Sequence, residues 1–217
     1  MAINEERENV YQVYDKIANW FAENRPTELI EKAYLDELIK HIPADGQVLD
    51  LGCGTGKPIL EYLISRNLNV TGLDASKEIL AIAKKNFPET EFLLQDMRYF
   101  HLNKRFDAII AWHSFFHLPI KDQPAMFKLF EKHLNDNGIL IFTSGTELGE
   151  AWGMNGGENL FHASLSTHEY TQLLNKHHFK ILKHVLNDPD CGYANVWMAI
   201  KHFTPVMVRL THEHQNK

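Results

Sequence analysis

Asp50-Leu-Gly-Cys-Gly-Thr-Gly56 is the segment of this 217-residue chain whose residue types and spacing most directly imply chemistry. Glycines this dense let the backbone turn sharply and approach a ligand closely, and such a turn after a strand serves nucleotide-like molecules. Spacing decides which one. A P-loop needs a glycine, four residues, Gly-Lys and then Ser or Thr, whereas here Leu51 holds the first position and Pro58, with no hydroxyl, the last. A dinucleotide turn needs Gly-x-Gly-x-x-Gly, and counting from Gly52 the third glycine position is Lys57. Asp50 would repel a pyrophosphate but suits an ammonium. A zwitterion therefore fits better than a diphosphate, with the amine of a methionine group at Asp50 and its carboxylate on free N–H groups of the turn and the helix start.

Other candidates follow along the chain. Asp74 offers two acceptor oxygens to a ribose diol, or merely caps a helix with Ser76. Asp96 can accept from an adenine amine with Met97 lying on the ring, or simply form a turn. His113 and His117 are the acid/base candidates, the alternative for His117 being a buried, hydrogen-bonded imidazole. Trp112 walls the cofactor or an aromatic or cationic substrate, or else is a core residue at the sheet edge, and Tyr14 combines a packed helical position with a polar hydroxyl. Trp152, Asn155 and His162 read as substrate-side groups, whereas Arg25 is a solvated arginine or a carboxylate partner. Cys53 and Cys191 are too few for a disulfide framework or a cysteine zinc site, and among 13 histidines a chance grouping is expected, so no metal is assigned.

The elements that must position these groups alternate. Residues 9–40 read as helical with a break at Pro26, a lead-in ahead of the strand Gln47–Leu51 and a helix over Pro58–Ser65. The strand Asn69–Asp74, a Ser76-capped helix to Asn86, and strands Glu91–Leu94 and Phe106–Ala111 come next. A helix from Gln123 to Leu134 stops at Asn135-Asp-Asn-Gly138 before the strand Ile139–Phe142. Thr143–Ser166 reads as a long lid or binding loop without strand period. A helix over Thr167–Lys176 precedes an antiparallel pair, Phe179–Leu186 and Tyr193–Ile200, and the tail from Pro205 reads as a loose end with solvated histidines. Such alternation predicts an α/β fold with a mainly parallel sheet and helices on both faces.

Composition narrows the function classes. A net charge of -6 argues against a nucleic-acid groove, and the sequence has neither a run apolar enough to span a bilayer nor a secretory signal, so a cytoplasmic protein is expected. The length suits one domain, with residues 1–42 as helical cap, 43–202 as core and 203–217 as tail.

Val48-Leu-Asp-Leu-Gly-Cys-Gly-Thr-Gly56, Gly72-Leu-Asp74, Gln95-Asp96-Met97 and Phe106-Asp-Ala-Ile-Ile-Ala-Trp-His-Ser-Phe-Phe-His-Leu118, in this order, resemble the class I S-adenosylmethionine-dependent methyltransferase family, especially its small-molecule members. The resemblance implies a Rossmann-like three-layer sandwich with a seven-stranded sheet whose last strand is antiparallel. It implies that Asp50, Gly52, Gly54 and Gly56 hold the methionine moiety, Asp74 the ribose, and Asp96 and Met97 the adenine. Cys53, Ala75, Trp112 and the backbone at Ala111 are expected beside them, with the helix of Tyr14 closing over the cofactor. The expected activity is transfer of the sulfonium methyl of S-adenosylmethionine to a small-molecule nucleophile, without nucleic acid or membrane as partner. A silent binding module and a nicotinamide-dependent oxidoreductase are the competing readings.

Overall fold

The computed structural model describes residues 2–202. Three helices, α1 (Ala2–Glu8), α2 (Tyr11–Asn24) and α3 (Lys32–Ile39), lead into β1 (Gln47–Leu51). There follow α4 (Ile59–Ser65), β2 (Asn69–Asp74), α5 (Lys77–Asn86), β3 (Glu91–Leu94), β4 (Phe106–Ala111), α6 (Gln123–His133) and β5 (Leu134–Ser144). The chain then runs through β6 (Gly149–Asn155), β7 (Glu158–Ser164), α7 (Thr167–Lys176), β8 (Phe179–Asp188) and β9 (Ala194–Lys201).

Seven strands form one sheet in the order β3-β2-β1-β4-β5-β9-β8. Pairing is parallel from β3 through β5, and β9 runs antiparallel to both its neighbours. This is the expected Rossmann-like architecture with an antiparallel last strand. The strands are apolar on both faces because helices cover both. Val48, Ala108, Ile110 and Ile139 point to the side of α3, α4 and α5, while Leu49, Ile109, Ala111 and Leu140 alternate to the side of α6 and α7. Strand order reverses at β1 and β4, and the crevice beyond their C-terminal ends is where open α/β sheets bind ligands.

Two elements frame that crevice from above. Helix α2 buries Ile17, Ala18 and Phe21 with Ile79 of α5, and Val13 packs with Leu160 and Phe161 of β7. Its Asp15 accepts hydrogen bonds from Ser76 Oγ (2.6 Å) and the Glu78 backbone N–H (3.1 Å), fixing α2 to the start of α5. Ser76 in turn caps α5, accepting from the Ile79 N–H at 3.2 Å.

The second element corrects the sequence reading. Thr143–Ser166 is not an unstructured loop, because β6 and β7 form an antiparallel hairpin in register from Gly149↔Ser164 to Asn155↔Glu158. Its turn is Gly156-Gly157, with φ of 57° and 84°, the positive pair that a two-residue type I′ connection requires. Helix α6 ends at His133, and β5 begins at once, with the Asn135-Gly138 stretch forming a register shift inside the strand instead of a stop before it. The tail from Pro205, read as a loose end, lies outside the described residues.

Candidate functional site

The glycine turn leaves β1 with φ of 76°, 57° and 82° at Gly52, Gly54 and Gly56. Gly52 has a steric reason beyond its φ, since a Cβ there would stand 2.3 Å from Cβ of Ser114, whose hydroxyl donates to the Leu51 carbonyl at 2.6 Å. The turn is thereby clamped between β1 and the segment after β4. Its N–H groups are mostly committed within the fold: Gly52 and Cys53 donate to the Leu73 carbonyl, Gly54 to Asp74 Oδ2, and Gly56 to the Cys53 carbonyl. The expected free N–H groups at these four positions are thus not free. The cavity instead presents two other donors near the turn. Arg25 donates through Nε to the Lys57 carbonyl at 3.1 Å, and Trp112 has a buried Nε1 without a partner.

One cavity runs along this edge of the sheet. Tyr14, Asp50, Gly52, Cys53, Gly54, Asp74, Ala75, Asp96, Met97 and Trp112, all named from the sequence, line it. Two expected residues do not. Ala111 is fully buried in the core on the α6 side, and Gly56 is turned to Phe87, whose ring a Cβ would meet at 2.6 Å. Sequence reasoning gave no role to Ser114 or Asp15, whose parts depend on contacts made across the fold.

The acids differ in their surroundings. Asp50 is almost wholly buried, and that burial pushes its carboxyl up to about 7 against the pull of Arg25. Burial also raises Asp74, whose Oδ1 and Oδ2 accept from the backbone of Ser76 (2.9 Å) and Gly54 (3.0 Å). Asp96 is held by Arg98, whose Nε reaches both carboxylate oxygens at 3.0 Å; Arg98 also bonds Asn9 and Asp122. Burial raises the Cys53 thiol well above its ordinary range, so it is an unreactive wall.

The histidines form a second group. His117 Nδ1 lies 2.8 Å from the Phe161 carbonyl, which can only accept, so this nitrogen carries the proton and Nε2 accepts from the Tyr14 hydroxyl at 3.1 Å. Both ring nitrogens of His117 are committed, and burial depresses it to about 3. It holds Tyr14 in place and is poorly suited to proton transfer. His113, with φ of 47° and its backbone N–H on Thr143 Oγ1 (2.9 Å), keeps its ring among the cavity walls and is lowered by burial to about 4. Both imidazoles are neutral at pH 7.

A neighbouring cavity of about 450 Å³ shares Tyr14, Arg25, His113 and His117 with the first and is closed by α2 and the hairpin. Asn155 and His162 line it. Trp152 does not: it pairs with Phe161 across the hairpin, their rings 5.2 Å apart, on the face opposite His162. Among the described residues no cluster of three or more His, Cys, Asp or Glu is arranged to hold a metal ion, and no helix is long and apolar enough to cross a membrane.

Residues 48–138 match a family described as a methyltransferase domain. YqeM of Bacillus subtilis (strain 168), whose own methyltransferase assignment is provisional, is 37% identical over 125 residues, 53% of this chain and 50% of that protein. The dTDP-3-amino-3,6-dideoxy-alpha-D-glucopyranose N,N-dimethyltransferase of Streptomyces fradiae is 33% identical over 51% of this chain and 44% of its own length. The chain thus spans about half the length of these curated relatives. Among solved structures, CalS10, an amino pentose methyltransferase from Micromonospora echinaspora in its SAM-bound form, superposes with a TM-score of 0.68 at 18% identity, over 85% of this chain and 95% of that one.

Proposed function

We propose that this chain is a class I S-adenosylmethionine-dependent methyltransferase that binds S-adenosylmethionine in the cavity at the β1–β4 edge and transfers its methyl group to a small molecule in the adjoining cavity. The observation that carries this reading is the row of acids along one wall. Asp50, Asp74 and Asp96 follow one another at or just beyond the ends of β1, β2 and β3 and line one cavity, in the order that an ammonium, a ribose diol and an adenine amine require. The buried Asp50 carboxyl suits a cationic partner, and the methionine carboxylate falls to Arg25 and the unpartnered Trp112 Nε1 rather than to the turn N–H groups. Tyr14, held by His117 and brought over the site by α2, closes the cavity.

Bound there, the sulfonium supplies an electrophilic methyl and leaves as a neutral thioether. The protein has to align the acceptor's lone pair in line with that methyl and keep water out. An acceptor that carries a proton becomes strongly acidic as the new bond forms, so even a weakly basic neutral imidazole can receive it. His113, which faces both cavities, is the residue we assign to that task. Small acceptors are favoured by the volume of the second cavity, about 450 Å³, and by the sugar methyltransferase among the relatives. A cytoplasmic setting fits such a reaction.

Calorimetry with S-adenosylmethionine and S-adenosylhomocysteine tests the cofactor assignment. Both are expected to bind at one site per chain, and absence of binding by either at millimolar concentration overturns it.

A further inference from the structure

The charge inventory of the second cavity points further, to the chemical class of the acceptor. Among the described residues that line it, Arg25 is the one charged side chain, and no carboxylate is present. The other polar groups are Tyr14, Asn24, Asn155 and three imidazoles. These imidazoles are arranged with a phenyl ring as an aromatic wall. His162 lies 5.2 Å from Phe116 at 45° and 4.8 Å from His117 at 42°, while His113 meets Phe116 edge-on at 5.6 Å. Trp20 and Phe21 of α2 stand among the residues that line the cavity with this wall.

We propose, resting on the methyltransferase reading above, that the acceptor is a flat aromatic molecule bearing an acidic O–H or N–H, a phenol or an N–H heterocycle, and not an ammonium-bearing amine. Two arguments carry this. Aromatic walls select flat aromatic ligands by offset and edge contacts, and about 450 Å³ lies within the roughly 300–1,000 Å³ of small-molecule pockets. The electrostatic argument is stronger. The acceptor's neighbour is a sulfonium and no carboxylate lines the second cavity, so an ammonium would stand beside a cation with no carboxylate in the cavity wall to pair with. A phenolate or heterocyclic anion gains from the sulfonium. The acids of the site stand on the cofactor side: Asp50, Asp74 and Asp96 line the first cavity and not the second.

The step balances simply. The O–H or N–H proton passes to the free ring nitrogen of neutral His113, the oxygen or nitrogen lone pair forms the bond to the methyl carbon, and the carbon–sulfur pair stays on sulfur. The products are a neutral methyl ether or N-methyl heterocycle, a thioether and an imidazolium that returns its proton to solvent.

The test is calorimetric binding to the full chain saturated with sinefungin, an S-adenosylmethionine analogue whose ammonium keeps a positive charge at the sulfonium position, using 4-nitrophenol and 8-hydroxyquinoline against benzylamine and glucosamine. The first two are expected to bind at least tenfold more tightly. His162→Asp places a carboxylate in the aromatic wall and should shift the preference towards benzylamine by at least tenfold, whereas His162→Asn should keep the original order. Amines binding as well as the aromatic acids, or no probe binding while sinefungin does, overturns the acceptor assignment and leaves the cofactor assignment standing. Failure of sinefungin itself to bind removes both.

Discussion

The two halves of the cleft offer opposite kinds of wall. The cofactor half carries carboxylates at the ends of successive parallel strands, Asp74 held by backbone donors and Asp96 by an arginine. The acceptor half is built by α2, the segment after β4 and the hairpin, and presents imidazoles, aromatic rings and one guanidinium. Sheet ends fix the first half to fractions of an ångström, because hydrogen-bonded strands have one register. Three separate elements resting on one another form the second, so its shape depends on contacts that can be altered without touching the sheet. A cationic ligand belongs to the first half and an aromatic or anionic one to the second, and the bond to be made lies where they meet.

The largest expected effect comes from breaking the rigid half. Gly52→Val adds atoms where even a Cβ stands 2.3 Å from Ser114, at a φ of 76° that a β-branched residue does not adopt. Strain and overpacking together should cost about 2–4 kcal/mol of stability in urea denaturation and abolish S-adenosylhomocysteine binding. A variant that binds normally would show that the turn is not the cofactor cradle.

Asp50→Asn ranks next. It removes the charge but not the shape, and should weaken S-adenosylhomocysteine by about 10- to 100-fold, matching the roughly 1.5–3 kcal/mol of a hydrogen bond to a charged group. The pH dependence follows from the direction of the shift. The free carboxyl titrates near 7, raised by burial, and the ligand's ammonium binds its ionised form. Affinity should therefore be constant above that pH and fall about tenfold per unit below it. Calorimetry from pH 8 to 5 should find this slope in the native protein and none in Asp50→Asn.

The same division explains what could be read from the chain beforehand. The cofactor half was legible because its residues sit in short contiguous motifs: Asp50 next to the glycines, Asp74 closing an apolar strand, Asp96 beside Met97. Gly56 and Ala111 belong to the same motifs yet face Phe87 and the core, since motif membership does not say which way a residue points. The committed N–H groups of Gly52, Cys53 and Gly54 were equally hidden, because their acceptors, the Leu73 carbonyl and the Asp74 side chain, come from the next strand. The hairpin had a local signal, Asn155-Gly156-Gly157, that a two-residue turn explains. Its strands concealed it: small and polar residues such as Gly149, Gly153 and Asn159 blur the period-two alternation, and β6 buries little of its own surface. Trp152 was misplaced for the same reason, as without the pairing register its face was undetermined.

The smallest effect should appear in the acceptor half alone. Gly156 sits at the hairpin tip with φ of 57°, and a Cβ there would stand 2.9 Å from the Trp20 ring and 3.0–3.1 Å from the Ile17 side chain. This glycine lets the hairpin rest on α2. Gly156→Ala must shift the tip outwards, widening the cavity between α2 and β7, while Asp50, Asp74 and Asp96 on the sheet edge remain where they are. Positive φ for alanine costs about 1 kcal/mol and overpacking about 1–3 kcal/mol, part of which the exposed tip relieves by moving. S-adenosylhomocysteine binding should change by less than about twofold, whereas affinity for 4-nitrophenol in the cofactor-loaded protein should fall about three- to tenfold, about 0.7–1.4 kcal/mol. Gly157→Ala supplies the control, since its φ of 84° imposes the same kind of backbone strain with nothing within 4 Å of the added atom. Equal losses in the two variants would trace the effect to turn strain; a loss of cofactor affinity in Gly156→Ala would mean that the two halves are mechanically one.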